Sequence, residues 1–260
     1  MRSRVSELIP LASLAGLSAL AARCDPSVPG RLDPIRAWCA PSSVRPLGCG
    51  EAGVDLLALV ASAELRAMAL ALAVATIGFA IGTPLGAAAA LARGAFERAV
   101  ARTCDLVQAF PTFILALAVL SAVRTPSRVA IGAVFALTAW APFARLSLAQ
   151  TRTLRDVAFV EAAIALGRSP PAVLARHVLP NVLTVAAVQL GSTAAAVVVG
   201  EAALAFVGFG PRDGVSLGGV LDQGVASMLR APHVLIVGAA SVFATSAAML
   251  VAGRALVRSP

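Results

Sequence analysis

Six long apolar runs, separated by shorter polar connections, limit what this chain of 260 residues can fold into. Hydrophobic residues make up 59% of the sequence and charged residues only 13%, whereas a soluble domain carries about 25% charged residues. A helix needs about 20 residues to cross the hydrocarbon core of a bilayer, and backbone polar groups in lipid must be paired within the span. We therefore predict an all-α, polytopic membrane protein with about six transmembrane helices. The apolar runs lie at 8–22, 68–92, 106–123, 129–148, 182–206 and 234–251.

The first run is shorter than the others and allows two interpretations. Arg2 and Arg4 precede it and small residues follow it, which is also the pattern of a secretory signal peptide. Cleavage would leave five spans, whereas an uncleaved run forms an N-terminal transmembrane helix. We predict the uncleaved helix and keep cleavage as the alternative.

The arginines indicate how the spans are oriented, because cytoplasmic connections of membrane proteins are rich in basic residues. Arginines are concentrated near the N-terminus and in 93–102, 145–176 and 254–258, which alternate with connections on the other side. We predict that these segments are cytoplasmic and that the chain is a multi-pass protein of a bacterial cytoplasmic (inner) membrane. The net charge of +8 then reflects topology, and we predict no nucleic-acid partner.

The segment 24–63 is too long for a tight connection and is rich in Pro and Gly over most of its length. We predict that it folds over the extracytoplasmic face. The chain is accordingly divided into 1–63, an N-terminal transmembrane helix with the extracytoplasmic segment, and 64–260, a transmembrane domain.

Three of the four cysteines, Cys24, Cys39 and Cys49, fall within that extracytoplasmic segment. A disulfide between two of them suits an oxidising compartment, and free thiols are the alternative. The spacing shows neither a C-x-x-C pattern nor a Cys/His metal pattern, so we predict no metal site.

A polar island at 161–181, EAAIALGRSPPAVLARHVLPN, interrupts the apolar runs. Residues 156–166 can form a short helix whose Val160, Ile164 and Gly167 fall on one stripe. The small Ala162 and Ala163 form a surface that another protein can approach closely. Gly167 suits the position that ends a helix in a left-handed turn, and Pro180 suits the first turn of the next helix. An ordinary amphipathic surface helix is the alternative.

The island resembles the EAA loop of the membrane subunits of ATP-binding-cassette (ABC) importers. Over 48–235 the chain resembles one branch of that family, the C-type membrane subunit of the dipeptide, oligopeptide and nickel importers. The segments that carry the resemblance, in family order, are WAPFAR at 140–145, FVEAA at 159–163, RHVLPN at 176–181 and EAALAFVGFG at 201–210.

The resemblance implies a cytoplasmic EAA-type coupling helix within a loop at about 152–180, which binds a partner ATPase. It also implies a second homologous membrane subunit, two ABC ATPase subunits and an extracytoplasmic substrate-binding protein as partners, besides the lipid bilayer. The residues implied in ATPase coupling are Phe159, Glu161, Ala162, Ala163, Leu166, Gly167, Arg176, His177 and Pro180.

We predict that the chain is not an enzyme and binds no cofactor. It lacks the G-x-x-x-x-G-K-[ST] phosphate loop, so ATP and Mg²⁺ would be bound by the partner ATPases. The predicted cargo is a peptide, with nickel or another small solute as the alternative. The rival classes are a non-transporting membrane scaffold or intramembrane enzyme, and a secondary transporter, which would require an inverted repeat.

Four residues within the apolar runs are candidates for helix interfaces or the translocation path. Gly82 belongs to a G-x-x-x-G pair that permits close helix approach, and Pro84 should kink the same helix. We interpret both as packing residues, with a gating hinge as the alternative. Gln189 either lines the path or bonds a neighbouring helix, and we favour the bond. For Glu201 we favour an interface role over a functional one.

Overall fold

The computed structural model describes residues 32–123, 126–212 and 214–258, with side chains up to residue 255. Within these ranges the regular structure is helical and no β-strand occurs, which confirms the all-α prediction. The α-helices are α1 (Leu56–Ala92), α2 (Gly94–Ala109), α3 (Thr112–Ser121), α4 (Arg128–Leu154), α5 (Ala158–Ala165), α6 (Pro170–Val173), α7 (Leu179–Leu204), α8 (Leu217–Ala226) and α9 (Pro232–Arg258). A π-helical turn, Leu174–Val178, joins α6 to α7, and a second, Ala205–Phe209, extends α7.

Four helical segments in the described part of the chain are long and apolar enough to cross a membrane: Leu56–Ala92, Arg128–Leu154, Pro170–Phe209 and Pro232–Ala255. The pair α2 and α3 makes a fifth if it is counted as one bent span. A polytopic membrane protein is thus confirmed. The run at 8–22 and its signal-peptide alternative lie outside the described residues, so the count of six stays a prediction.

The run at 106–123 differs from a single continuous span. The structure divides it between α2 and α3, which meet at an angle of 70°. Phe110 is extended and Pro111 is the N-cap of α3. Proline has no N–H to donate and disfavours a helical conformation in the residue before it. The break therefore falls where the sequence places its proline.

Helices α1 and α4 form the closest helix contact at the centre of the bundle. An added Cβ would lie 2.7 Å from the Ala139 carbonyl oxygen at Gly78, 2.2 Å from that of Trp140 at Gly82 and 2.0 Å from that of Ala144 at Gly86. The two backbones are therefore in direct contact along about two turns of α1.

The buried side chains around this contact are mostly alanine and valine. Helix α1 continues through Pro84 to Ala92 as one helix. It begins at Leu56, so the predicted division at 63/64 lies inside a continuous helix. Whether 1–63 behaves as a separate unit stays a prediction.

The connections gather at two ends of the bundle, which we call the outer and the inner end after the orientation predicted from the arginines. At the outer end, residues 32–55 pack against the region after α7: the Glu51 N–H donates to Gln223 Oε1 at 3.4 Å, and His233 lies against Gly48. At the inner end, Arg93 pairs with Asp156, which follows α4.

A disulfide joins Cys39 and Cys49 at the outer end. Of the two alternatives for these cysteines, a disulfide or free thiols, the structure has the disulfide. Cys104 is a buried free thiol, and Cys24 lies outside the described residues. Backbone hydrogen bonds from Cys49 to Cys39 and from Trp38 to Gly50 accompany the disulfide. A disulfide at this end agrees with its predicted extracytoplasmic location.

We expect Cys39→Ser to loosen the outer segment without unfolding the bundle. Closing a loop of this size contributes about 2–4 kcal/mol, so amide hydrogen exchange at residues 38–50 should become faster by about a hundredfold. Cys104→Ser is the matched control, because that thiol forms no disulfide. Equal exchange in the two variants would show that the disulfide does not order this segment.

Candidate functional site

The polar island folds into a short helix that projects from the inner end of the bundle. Helix α5 has eight residues and lies within the predicted helix at 156–166. Val160 and Ala163 are its buried residues, and they pack with Val173 and Val178 from the following turn and with Ala87 of α1. These contacts fix the orientation of α5 relative to two spans.

Exposed apolar side chains lie on both flanks of this buried face and just after the helix. Leu166 is 83% exposed and Ile164 53% exposed, and Phe159 is also exposed. Val160 and Ile164, which the spacing places on one stripe, differ in burial, since Val160 is buried and Ile164 is exposed. Ala163 is buried as well, so only Ala162 of the two alanines predicted to form an approachable surface is exposed. Helical spacing identifies which residues share a face, but it does not identify the side on which the bundle lies.

Gly167 ends α5 in the left-handed turn that the sequence predicts. Its φ is +77°, and its N–H donates to the Ile164 carbonyl at 2.9 Å, while the Arg168 N–H donates to the Ala163 carbonyl at 3.2 Å. This pair of bonds is the Schellman motif. An added Cβ at Gly167 would meet nothing within 4 Å, so only the backbone conformation favours glycine there.

The remaining residues of the island lie on the chain that returns to the membrane. His177 lies in the π-helical turn, with its ring centroid 6.3 Å from that of Phe159. Its carbonyl accepts a hydrogen bond from Asn181 at 2.8 Å. Arg176 is exposed, and Pro180 occupies the first turn of α7. The exposed Glu161 lies in the first turn of α5, where a carboxylate favours the positive end of the helix.

The link between α4 and α5 is anchored by a set of charged residues, which we call the basal network. Its members come from the end of α1, from α2, from the last turn of α4 and from the link that follows α4. They are Arg93, Glu97, Arg152, Arg155 and Asp156.

Gln189 lies on a groove of about 800 Å³ between α3, α4, α7 and α9. Its amide donates to Thr193 on its own helix at 3.3 Å, so the favoured bond to a neighbouring helix is not observed. The walls of the groove combine hydroxyl groups with aromatic rings. They include Thr112, Phe113, Phe135, Thr138, Ser192 and Ser246.

The other membrane candidates do not line this groove. Gly82 faces α4 at the closest helix contact, and Pro84 continues the same helix. Glu201 is only 2% exposed and lies inside the outer half of the bundle.

Sequence reasoning missed two buried acids. Glu64 of α1 is 2% exposed and accepts a hydrogen bond from Thr245 of α9 at 3.1 Å. Glu97 of α2 lies in the basal network. Each is a lone carboxylate beside an apolar run, and such a carboxylate requires a partner. The sequence therefore indicates that each of these carboxylates has a partner, but it does not identify the partner.

Comparison with known proteins places this geometry in a family. The family described as "Binding-protein-dependent transport system inner membrane component" matches residues 82–258. The chain is 29% identical to the glutathione transport system permease protein GsiD of Pectobacterium atrosepticum over 219 residues, which cover 83% of this chain and 72% of that protein. It is 32% identical to the protein of the same name from Shigella dysenteriae serotype 1, over 83% of this chain and 71% of that one. A family match over most of the chain, together with several membrane-spanning helices, shows that this protein belongs to the multi-pass inner-membrane permease subunits of binding-protein-dependent ABC importers.

Proposed function

We propose that this permease subunit couples a translocation path to ATP hydrolysis on partner subunits through α5. The observation that carries the proposal is a set of exposed apolar side chains at α5: Phe159 and Ile164, which flank its buried face, and Leu166, which follows the helix. Apolar side chains that face water do not stabilise a cytoplasmic helix, whereas burial in a partner groove removes them from water. Val160 and Ala163 of α5 pack against α1 and the turn before α7, so a displacement of the helix is passed on to the spans.

The coupling mechanism follows from how α5 is connected. Three residues join α4 to α5, and the turn at Gly167 leads from α5 into the continuous segment Pro170–Phe209. When ATP closes the ATPase pair, α5 moves with the ATPase groove and carries the inner ends of α4 and α7. The spans then change from an inward-open to an outward-open arrangement, driven by the difference in ATP affinity between the two states.

The proposed assembly contains a second, homologous permease subunit, two ABC ATPase subunits and an extracytoplasmic binding protein. The groove between α3, α4, α7 and α9 is open at the surface of the subunit. In the assembly it forms one half of the path, and the second permease subunit supplies the other half. ATP and Mg²⁺ are bound by the ATPase subunits.

The proposed cargo is a peptide or a similar small solute. Hydroxyl groups of Thr138, Ser192 and Thr193 and the amide of Gln189 line the groove together with Phe113 and Phe135. Hydroxyl and amide groups can exchange hydrogen bonds with peptide groups, while the rings provide apolar surface for side chains. The relatives named as glutathione permeases support the same class of cargo.

The test is to purify the tagged subunit from its host membranes in a mild detergent and to identify the chains that accompany it. We expect ABC ATPase chains and ATP hydrolysis to co-purify with the wild-type protein. Gly167→Val should reduce the recovered ATPase about tenfold, because a left-handed conformation costs about 1–2 kcal/mol for a residue with a Cβ.

Gly167→Asn is the matched variant, because asparagine adopts the left-handed conformation more readily than valine. It should recover ATPase within about threefold of the wild-type amount, since the remaining strain is a fraction of a kcal/mol. A wild-type subunit that purifies alone would contradict the proposal and would favour a non-transporting scaffold.

A further inference from the structure

Two of the three residues that link α4 to α5, Arg155 and Asp156, are bound to residues that lie far from them in the sequence. Arg155 donates to the Ala90 carbonyl near the end of α1 at 2.8 Å. Asp156 accepts from Arg93 at 2.7 Å. The base of α5 is therefore attached to the corner between α1 and α2.

That corner is a sharp change of direction. Arg93 and Gly94 have φ values of +56° and +70°, both in the left-handed region, and they end α1 and begin α2. The carbonyl of Ala90 belongs to the last turn of α1, where carbonyls lack partners within the helix. Arg155 satisfies this carbonyl from outside α1.

Glu97 is the centre of the basal network. Its Oε1 accepts from Arg152 Nε at 2.5 Å, and its Oε2 from Arg155 Nη1 at 3.2 Å. The side chain of Glu97 is only 11% exposed, so these charge-assisted bonds are less screened by water than a surface pair. By contrast, the side chains of Arg93 and Asp156 are about 60% exposed (61% and 60%), and such exposed pairs contribute little.

Helix α2 leads from this network to the groove. It continues through the bend at Pro111 into α3, whose first residues, Thr112 and Phe113, line the groove wall. A displacement at the base of α5 is thus connected to that wall through Glu97, α2 and α3. The covalent connections from α5 to α4 and to α7 do not lead to Thr112 and Phe113.

We propose that Glu97 is a positioning residue that makes α2 and α3 move together with α5. The proposal rests on the proposed function, in which the ATPase moves α5. Loss of the Glu97 carboxylate removes the two bonds that hold α2 to Arg152 of α4 and to Arg155 of the link, and leaves only the exposed Arg93–Asp156 pair. The groove wall at Thr112 and Phe113 then no longer follows the nucleotide state. Binding of the ATPase is retained, because α5 and its exposed side chains are unchanged.

The experiment uses the co-purified complex of full-length subunits and a Thr112→Cys reporter. The rate of alkylation at residue 112 by a maleimide is measured by mass spectrometry, without nucleotide and after trapping with ATP and vanadate. In an otherwise wild-type complex we expect the rate to differ by about fivefold between the two states, as in a coupled two-state system. With Glu97→Gln the difference should fall below about twofold while the amount of co-purified ATPase is unchanged.

Asp105→Asn is the matched control. Asp105 pairs with Arg145 and so joins the same two helices, α2 and α4, away from the base of α5. This variant should keep the full difference at residue 112, and Glu97→Asp, which retains the charge, should restore most of it. If Glu97→Gln does not fold, Arg152→Gln removes one of the two bonds to Glu97 and replaces it in the test.

The outcomes separate the two proposals. Absence of ATPase from the wild-type complex contradicts the proposed function. If ATPase is present, an equal response in Glu97→Gln and wild type, or no response at residue 112 in wild type, overturns the role of Glu97. A loss that is equal in Glu97→Gln and Asp105→Asn would show general loosening of α2 and would also overturn it.

Discussion

Replacing Gly86 with leucine should prevent this protein from folding in the membrane, and even Gly86→Ala should destabilise it by about 3 kcal/mol. The reason is that the neighbours of Gly86 are backbone atoms. An added Cβ would lie 2.0 Å from the Ala144 carbonyl oxygen and 2.9 Å from its Cα. No side-chain rotation can relieve this contact, so α1 and α4 would have to separate along their whole interface.

Gly132→Ala is the matched control for this prediction. Gly132 lies in α4, and its added Cβ would meet only the Cδ1 end of the Leu70 side chain closely, at 2.7 Å. That side chain can move, and alanine favours a helix more than glycine does. The two alanine variants are compared by thermal unfolding in detergent, and the leucine variant by its yield of monodisperse protein. Equal melting of Gly86→Ala and Gly132→Ala would show that the close approach of α1 and α4 does not limit stability.

The close approach itself was predictable from sequence, but its partner was not. The pair Gly82 and Gly86 predicts a close helix contact. Nothing in that spacing selects α4 over the other helices, because the choice depends on how all the spans pack. The bend between α2 and α3 shows a different difficulty. Pro111 indicates a break, yet the apolar run around it is long enough for one span, so its length favours a continuous helix.

Features of the site that depend on local geometry were predicted best. The turn at Gly167 follows from helix-ending preferences over a few residues, and the structure has it where the sequence predicts it. The buried face of α5, with Val160 and Ala163, does not follow from the sequence, because spacing alone does not locate the bundle. The basal network was missed because Glu97 and Arg152 are 55 residues apart in sequence. Local patterns contain no information about such pairs.

Leu166→Glu should abolish ATPase binding while leaving the subunit folded. Leu166 is 83% exposed, so the substitution removes no contact within the subunit that would stabilise it. In the complex it exchanges the burial of a leucine, about 2 kcal/mol, for the burial of a carboxylate, which costs several kcal/mol more when it is unpaired. We expect the amount of co-purified ATPase to fall at least about a hundredfold, which corresponds to about 2.7 kcal/mol.

Phe96→Glu separates this effect from a general effect of charge at the inner end. Phe96 of α2 is 48% exposed near the basal network and is not part of α5. The Phe96→Glu subunit should keep its ATPase. When isolated from their partners, both variant subunits should elute and melt as the wild-type subunit does. The two substitutions add the same charge at the same end of the bundle. Loss of ATPase in Leu166→Glu but not in Phe96→Glu is therefore expected only if the ATPase docks at α5. Equal loss of ATPase in both variants would mean that ATPase binding depends on the charge of the whole inner surface. Retention of ATPase in both would place its binding site away from α5.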